Sequence, residues 1–267
     1  MEMKKITVPD ILKMKVEGRK IPVLTAYGFQ MARVLDAAGI PVLLVGDSAG
    51  MVEAGYENTL PVTMDEMVYH ARSVARGRSN ALLVSDMPFG SYQVSISEAR
   101  KNAVRLVKEG GAEAVKVEGG VRSAEAVRSI TEMDIPVMGH IGLTPQSIHK
   151  MGGYRVQGKG KSSGALIDDA RALEDAGAFS VVLEGIPAAL AKEITGSLSV
   201  PTIGIGAGPW CDGQVLVVDD MLGLNTDPRL PKYVKKYADL KTVIQAAAEE
   251  YIKDVAEGRF PAKEQSY

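Results

Sequence analysis

Eight short, nearly unbroken apolar runs punctuate the chain, at residues 22–27, 42–45, 81–85, 114–117, 136–139, 180–183, 202–205 and 214–218. Most lack the apolar–polar alternation of a half-exposed strand, and so read as strands of a parallel sheet covered on both faces. Between them lie helix-like segments at 29–38, 64–76, 97–109, 123–132, 165–176 and 188–198, with another at 240–256. Several stop at glycine, as in Ala38-Gly39, Glu109-Gly110 and Ala176-Gly177, where a left-handed C-cap is expected.

The runs recur about every 27 residues, the length that one strand, one helix and two short loops require. Eight such units account for most of the 267 residues and fit a (β/α)8 barrel, whose usual size is ~250 residues. An open doubly wound sheet is the alternative. No Ser/Gly/Pro-rich linker interrupts the chain, so the expectation is one TIM barrel domain over 1–267, with a C-terminal helix and tail from about 232. An extra N-terminal helix at 8–15, with Pro9 in a first turn that tolerates proline, is placed to close the barrel bottom. The interval between runs seven and eight is too short for a full helix. Loops 46–63 and 142–163 are long, rich in Gly and polar residues, and follow strands, so in a barrel they overhang the C-terminal face where active sites form.

Composition narrows the partners. Lys plus Arg number 31 against 33 Asp plus Glu, with no long block of one sign, so neither nucleic acid nor an anionic membrane surface is indicated. The one cysteine, Cys211, excludes an internal disulfide and a cysteine-rich zinc site, and predicts a reducing, cytoplasmic setting. The charged stretch 1–10 lacks the apolar region of a secretion signal, and no apolar run nears the ~18 residues of a membrane span.

Four carboxylates stand at or just past strand ends: Asp47, Asp86, Glu118 and Glu184. Any one could be a helix N-cap, but three are followed by loops. Asp47, Asp86 and Glu118 follow strands two, three and four, one arc of a barrel rim. Carboxylate oxygens without Cys or His are the ligand set of a hard divalent cation, predicting an open Mg2+ site. Lys116 leaves the same strand face as Glu118, either as a structural ion pair or as a partner for a substrate carboxylate or oxyanion. Glu184 ends strand six, opposite strand two, where it can act as general base on a carbon acid held by the metal. His140 ends strand five between these groups and can orient substrate or move protons. The run Gly204-Ile-Gly-Ala-Gly could hold phosphate or simply permit close packing.

Longer motifs carry a family resemblance. Val-Gly-Asp-Ser (45–48), Thr-Leu-Pro-Val-Thr (59–63), Asp-Met-Pro-Phe-Gly-Ser-Tyr (86–92), Lys-Val-Glu-Gly-Gly (116–120), Gly-His-Ile-Gly-Leu-Thr-Pro-Gln-Ser (139–147) and Leu-Glu-Gly-Ile-Pro (183–187) occur in order. With Gly-Ile-Gly-Ala-Gly-Pro (204–209) and Cys-Asp-Gly-Gln-Val-Leu-Val (211–217), the chain resembles the ketopantoate hydroxymethyltransferase family over nearly its whole length. The resemblance implies a barrel of the phosphoenolpyruvate/pyruvate type and Mg2+ dependence. It also implies hydroxymethyl transfer from 5,10-methylenetetrahydrofolate to 3-methyl-2-oxobutanoate, giving 2-dehydropantoate for pantothenate synthesis. It implies Asp47 and Asp86 as metal ligands, with Glu118 a third carboxylate there, direct or through water. Asp47, Ser48, Asp86 and Lys116 become the 2-oxo-acid contacts, beside His140, and Glu184 becomes the proton acceptor. A homo-oligomer, a ring-based decamer, is implied as well.

The chain departs from the family pattern at Asp219, where many members carry His, at Ala49, where a bulkier apolar residue is common, and at Gly185, where Cys is frequent. None removes a proposed catalytic group. Two rival readings exist: a Mg2+-dependent carbon–carbon lyase of the isocitrate-lyase type needs a catalytic Cys in a Lys-Lys-Cys-Gly-His-like loop, whereas Cys211 follows strand seven. A noncatalytic small-molecule binding barrel would hold an ion without turnover.

Overall fold

A computed structural model of the protein describes residues 4–160, 163–226 and 230–267. Residues 1–3 of the charged start and 161–162 of the second long loop lie outside the described residues. The chain divides into two compact units, one running to Val217 and one from Val218 onward.

In the first unit every apolar run is a strand. These are β1 (Ile21–Thr25), β2 (Val42–Val45), β3 (Leu82–Asp86), β4 (Ala114–Glu118), β5 (Val137–Gly142), β6 (Ser180–Glu184), β7 (Thr202–Ile205) and β8 (Gly213–Leu216). All pair in parallel in sequence order, and β8 pairs with β1 to close an eight-stranded barrel. The helices are α1 (Val8–Val16), α2 (Phe29–Ala37), α3 (Ala49–Val52), α4 (Met64–Gly77), α5 (Ile96–Lys108), α6 (Ala124–Thr131), α7 (Ile148–Met151), α8 (Ser163–Asp175) and α9 (Ala188–Ser197). Only a turn separates β7 from β8. The fold is the (β/α)8 barrel with the extra N-terminal helix.

Local chemistry sets where the helices begin. The Thr63 hydroxyl accepts from the Glu66 N–H, and the Glu66 carboxylate accepts in return from the Thr63 N–H, fixing the start of α4. Ser95 caps α5 through the Glu98 N–H. At the stops, Gly39 and Gly177 adopt the left-handed conformation expected of them, but after α5 the left-handed residue is Gly111 instead of Gly110. The chain makes a further turn there, with the Gly110 N–H still donating to Arg105, so the reversal falls one residue later.

Strand parity explains the barrel interior. Ile21, Val23, Val42, Leu44, Leu82, Val84, Ala114, Met138, Val182, Ile203, Ile205 and Val215 pack in one cluster, joined from below by Ile11 and Met14 of α1. Continuing these rows upward in steps of two brings in Asp86, Lys116 and then Glu118, His140 and Glu184. The interior is therefore apolar at the base and ionisable at the C-terminal rim. In four units the apolar run ends one residue or more before the strand does: β3, β4 and β6 include Asp86, Glu118 and Glu184, and β5 extends through His140 to Gly142. Backbone pairing continues wherever the neighbouring strand supplies partners, whatever the side chain above it.

Asp36, on α2, holds the approach to β3. Its carboxylate accepts N–H bonds from Ser79, Asn80 and Ala81 at 2.7–3.2 Å, and another from the Asn80 side chain. Burial pushes its carboxyl pKa up, but the Ala81, Ser79 and Asn80 donors outweigh this and the net shift is downward. Because the folded value is depressed, the stabilisation is present above the unfolded carboxylate pKa of about 3.9 and is lost as pH falls through the folded value. Asp36→Ala is expected to cost about 2–4 kcal/mol at neutral pH by leaving several donors unmet, measured by urea denaturation. The difference from wild type should shrink in acid below about pH 4.

The second unit contains α10 (Val218–Leu222) and α11 (Leu240–Ala256). In it the Asn225 side chain donates to Asp220 at 2.6 Å, and the Tyr251 and Phe260 rings meet edge to face. Among the described residues no helix is long and apolar enough to cross a membrane.

Candidate active site

At the C-terminal rim, side chains from β3, β4, β5 and β6 and from the turn after β2 form one connected polar cluster. Parallel register sets neighbours side by side: Asp86 pairs with Lys116, Glu118 with His140, and Gly142 with Glu184. Gly142 has a positive φ of +95°, and any side chain there would collide with the Glu184 carbonyl. Close approach of β5 to the Glu184 end of β6 therefore requires glycine at this position.

Lys116 sits at the centre, almost fully buried. Its Nζ is hydrogen-bonded to Glu118 Oε1 at 3.4 Å and His140 Nδ1 at 3.0 Å, and forms an ion pair with Asp86 Oδ1 at 3.2 Å. Burial lowers the Lys116 pKa, but the Asp86, Glu118 and Asp47 charges outweigh it, so the ammonium form is reinforced. His140 Nε2 faces Glu184 Oε2 at 3.3 Å. Burial and the Lys116 charge push the His140 pKa down, while hydrogen bonding to Glu118 and Glu184 pulls it up, to about 9. At 3.0 Å two N–H donors cannot face each other, so beside the Lys116 ammonium Nδ1 accepts and the proton sits on Nε2 toward Glu184. The two carboxylates raise the proton affinity of this ring, and the Lys116 ammonium opposes them.

The carboxylates divide into two kinds. Burial raises the Glu118 pKa, but Lys116 and His140 bring it down to about 2. Both its oxygens are engaged, Oε1 by Lys116 and Oε2 by the Gln146 N–H at 3.0 Å. Asp47 and Asp86 differ. Burial, then the Asp86 and Glu118 charges, push the Asp47 carboxyl well above the usual range. Asp86 is raised by burial despite Lys116. Asp86 Oδ2 accepts the Asp47 N–H at 2.9 Å, whereas Oδ1, beside Lys116, lies off the line of a hydrogen bond and is left without one. Glu184 is the most open of the four, with 13% of its side chain exposed against 2% for Glu118.

Every charged residue singled out from the sequence thus joins this cluster. Ser48 lies beside it and bonds instead to the Tyr27 hydroxyl at 2.8 Å, while His70 reaches the Tyr27 carbonyl with Nδ1. The cluster also contains neutral residues that charge and strand position did not reveal. Gln146, in the loop after β5, reaches Asp47 and the Met87 carbonyl at 2.9 Å, and Tyr92 reaches Gln146 at 2.7 Å. Their signal was present only as membership of the 86–92 and 139–147 motifs. A cavity of about 430 Å3 opens on the outer side of this wall, reaching Glu118, Tyr92, Gln146 and the first turns of α5 and α6. Tyr154, from the same long loop as Gln146, has its hydroxyl pKa raised by burial and by the Glu184, Asp47 and Glu118 charges.

Among the described residues no three His, Cys, Asp or Glu side chains converge on a single metal-sized point. The donor set nonetheless fits a cation of the Mg2+ kind, which takes few protein carboxylates and fills its shell with water or substrate oxygens. Two buried carboxyls held above their normal pKa, one with an oxygen that accepts no hydrogen bond, are a site short of positive charge. With both Glu118 oxygens committed, the two candidates for direct contact are Asp47 and Asp86.

The model of the ketopantoate hydroxymethyltransferase family matches residues 5–263. A 3-methyl-2-oxobutanoate hydroxymethyltransferase of Trichlorobacter lovleyi is 59% identical over 264 residues, 99% of each chain. One of Syntrophotalea carbinolica is 60% identical over 265 residues, again 99% of each. Among solved structures, phosphonopyruvate hydrolase in complex with oxalate and Mg2+ is similar at a TM-score of 0.63 and 12% identity, covering 97% of this chain and 93% of that one. The 2,3-dimethylmalate lyase, of the PEP mutase/isocitrate lyase superfamily, is similar at 0.61 and 17% identity, covering 97% and 91%. At such identities the structural likeness speaks for the fold alone.

Proposed function

From the premise that this chain belongs to the ketopantoate hydroxymethyltransferase family, we propose that it transfers a hydroxymethyl group from 5,10-methylenetetrahydrofolate to 3-methyl-2-oxobutanoate. The observation that carries the reading is the rim cluster itself. Two cation-seeking carboxylates stand on one arc, and a separate, more open carboxylate, Glu184, stands across from them.

The proposed roles follow from chemistry. The C3 proton of a 2-oxo acid becomes removable when the charge developing on the 2-oxo group is stabilised. A bound Mg2+ supplies Lewis-acid stabilisation of that charge. Asp47 and Asp86 would hold the ion, with Glu118 acting through water because its oxygens are already engaged. Lys116 adds positive charge beside the same oxyanion, and Ser48 and His140 orient the 2-oxo acid. Glu184 takes the C3 proton, with His140 Nε2 3.3 Å from its Oε2. Water opens the methylene bridge of the folate, each C–N bond breaking with assistance from the heteroatom that remains, which leaves tetrahydrofolate and the carbon as formaldehyde. The C3 carbanion equivalent adds to that carbon, and its oxygen takes a proton to give the hydroxymethyl group. The buried apolar floor below the cluster, including Val84, Met138 and Val182, limits water beneath the reacting atoms. A cytoplasmic homo-oligomer with one barrel domain per chain completes the proposal.

The test is metal removal. Protein stripped with EDTA is expected to form no 2-dehydropantoate from the two substrates by NMR, and to regain formation on adding Mg2+. Equal product formation in chelator would overturn the metal assignment, and no product under any condition would overturn the function. In the same assay Asp86→Asn should raise the Mg2+ concentration needed for half-maximal rate, and an unchanged value would remove Asp86 from the ligand set.

A further inference from the structure

Gln146 enters the carboxylate cluster with all its side-chain hydrogen-bonding capacity used. Nε2 donates to Asp47 Oδ2 and to the Met87 carbonyl, both at 2.9 Å. Oε1 accepts from the Tyr92 hydroxyl at 2.7 Å and from Gln93 Nε2 at 3.0 Å. Its main-chain N–H donates to Glu118 Oε2. These partners fix which end of the amide is which. A flipped group would set its NH2 against the Gln93 NH2, and its carbonyl against the Asp47 carboxylate and the Met87 carbonyl.

We propose that Gln146 is a positioning residue that locks Asp47 and Glu118 into one frame and thereby sets the divalent-cation affinity of the site. The inference rests on the reading of Asp47 and Asp86 as cation donors. Asp47 Oδ2 is pinned by Gln146, and Asp86 Oδ2 by the Asp47 N–H. Each carboxylate therefore has one oxygen fixed by a neutral donor, while Asp86 Oδ1 takes no hydrogen bond. A lysine at position 146 would orient Asp47 equally well but would neutralise the charge a cation needs. An amide orients it and leaves that charge intact. Tyr92 backs the arrangement, because its buried hydroxyl sits between Gln146 Oε1 and the Glu118 N–H, 3.1 Å from the latter. One uncharged residue thus couples the turn after β2 to the loop after β3 and, through its main-chain N–H, to the end of β4. Hydrogen bonds behind metal ligands are worth about 10–100-fold in metal affinity.

Mn2+ titration of the metal-free full-length protein, followed by the EPR signal of free Mn2+, tests this without reference to turnover. Gln146→Leu is expected to raise the Mn2+ Kd by about 10–100-fold. Tyr92→Phe, which removes one donor to Oε1, should raise it by a smaller factor. Asp86→Asn serves as the direct-ligand control, and thermal melts report folding of each variant. A lowered Tm with unchanged Mn2+ affinity in Gln146→Leu would mean a merely structural role and would overturn the proposal. If Gln146→Leu does not fold, an unchanged Kd in Tyr92→Phe overturns it. Failure of the wild-type protein to bind Mn2+ would overturn the metal assignment and this inference together. Binding weakened by Asp86→Asn but not by Gln146→Leu would overturn this inference alone.

Discussion

Glu184→Gln is expected to lower the turnover number by about 10²–10⁴-fold, the contribution of a positioned general base, while Mg2+-dependent binding of 3-methyl-2-oxobutanoate persists. The amide keeps the volume of the carboxylate and leaves His140 Nε2, 3.3 Å away, beside a polar group, so the pocket wall is preserved. What disappears is the capacity to take a proton. Glu184 is the carboxylate for this role because it is the most accessible of the four and lies across the ring from Asp47, whereas Glu118 is fully committed to Lys116, His140 and Gln146. Steady-state rates of tetrahydrofolate release, with calorimetric titration of the 2-oxo acid, check both halves. A turnover number within tenfold of wild type would assign the base elsewhere.

The second large effect is expected at Lys116. Lys116→Met keeps much of the stem's bulk but leaves Asp86 and Glu118 buried without their cation. Breaking a buried ion pair from one side costs about 3–5 kcal/mol. Protonation of the carboxylates offsets part of this, so about 3 kcal/mol is expected by urea denaturation without metal. Adding Mg2+ should recover more stability in the variant than in wild type, because the ion replaces the missing positive charge and binds only the folded state. Turnover should fall by at least about 10²-fold, as for loss of one oxyanion donor. Wild-type stability in the variant would contradict the central place given to this ammonium.

Much of this architecture is visible in the residues themselves. Continuous apolar runs at regular spacing specify a two-sided parallel sheet, and their number specifies closure. Acidic residues at the ends of those runs mark the rim, because a carboxylate with an apolar stem of strand below it has only the open end to occupy. The neutral framework is different. Gln146 and Tyr92 carry no charge and no periodic signature, and their roles come from partners 26 to 99 residues away in sequence. Asp36 was equally hidden, since a carboxylate on a helix gives no sign that it will meet the three N–H groups before β3. The ends of β3 to β6 lie beyond their apolar runs for a related reason: polarity marks where the side-chain environment changes, whereas hydrogen bonding decides where the strand stops.

The account's central claim is that this site enolises a 2-oxo acid under Mg2+ with Glu184 as base. Proton NMR of 3-methyl-2-oxobutanoate in D2O, with protein and Mg2+ but no folate, tests it directly. The C3 proton signal should fade and the methyl doublet collapse with wild-type protein, and both should persist with Glu184→Gln or with EDTA. Rapid exchange in Glu184→Gln, or none in the wild-type protein with Mg2+, would contradict the account.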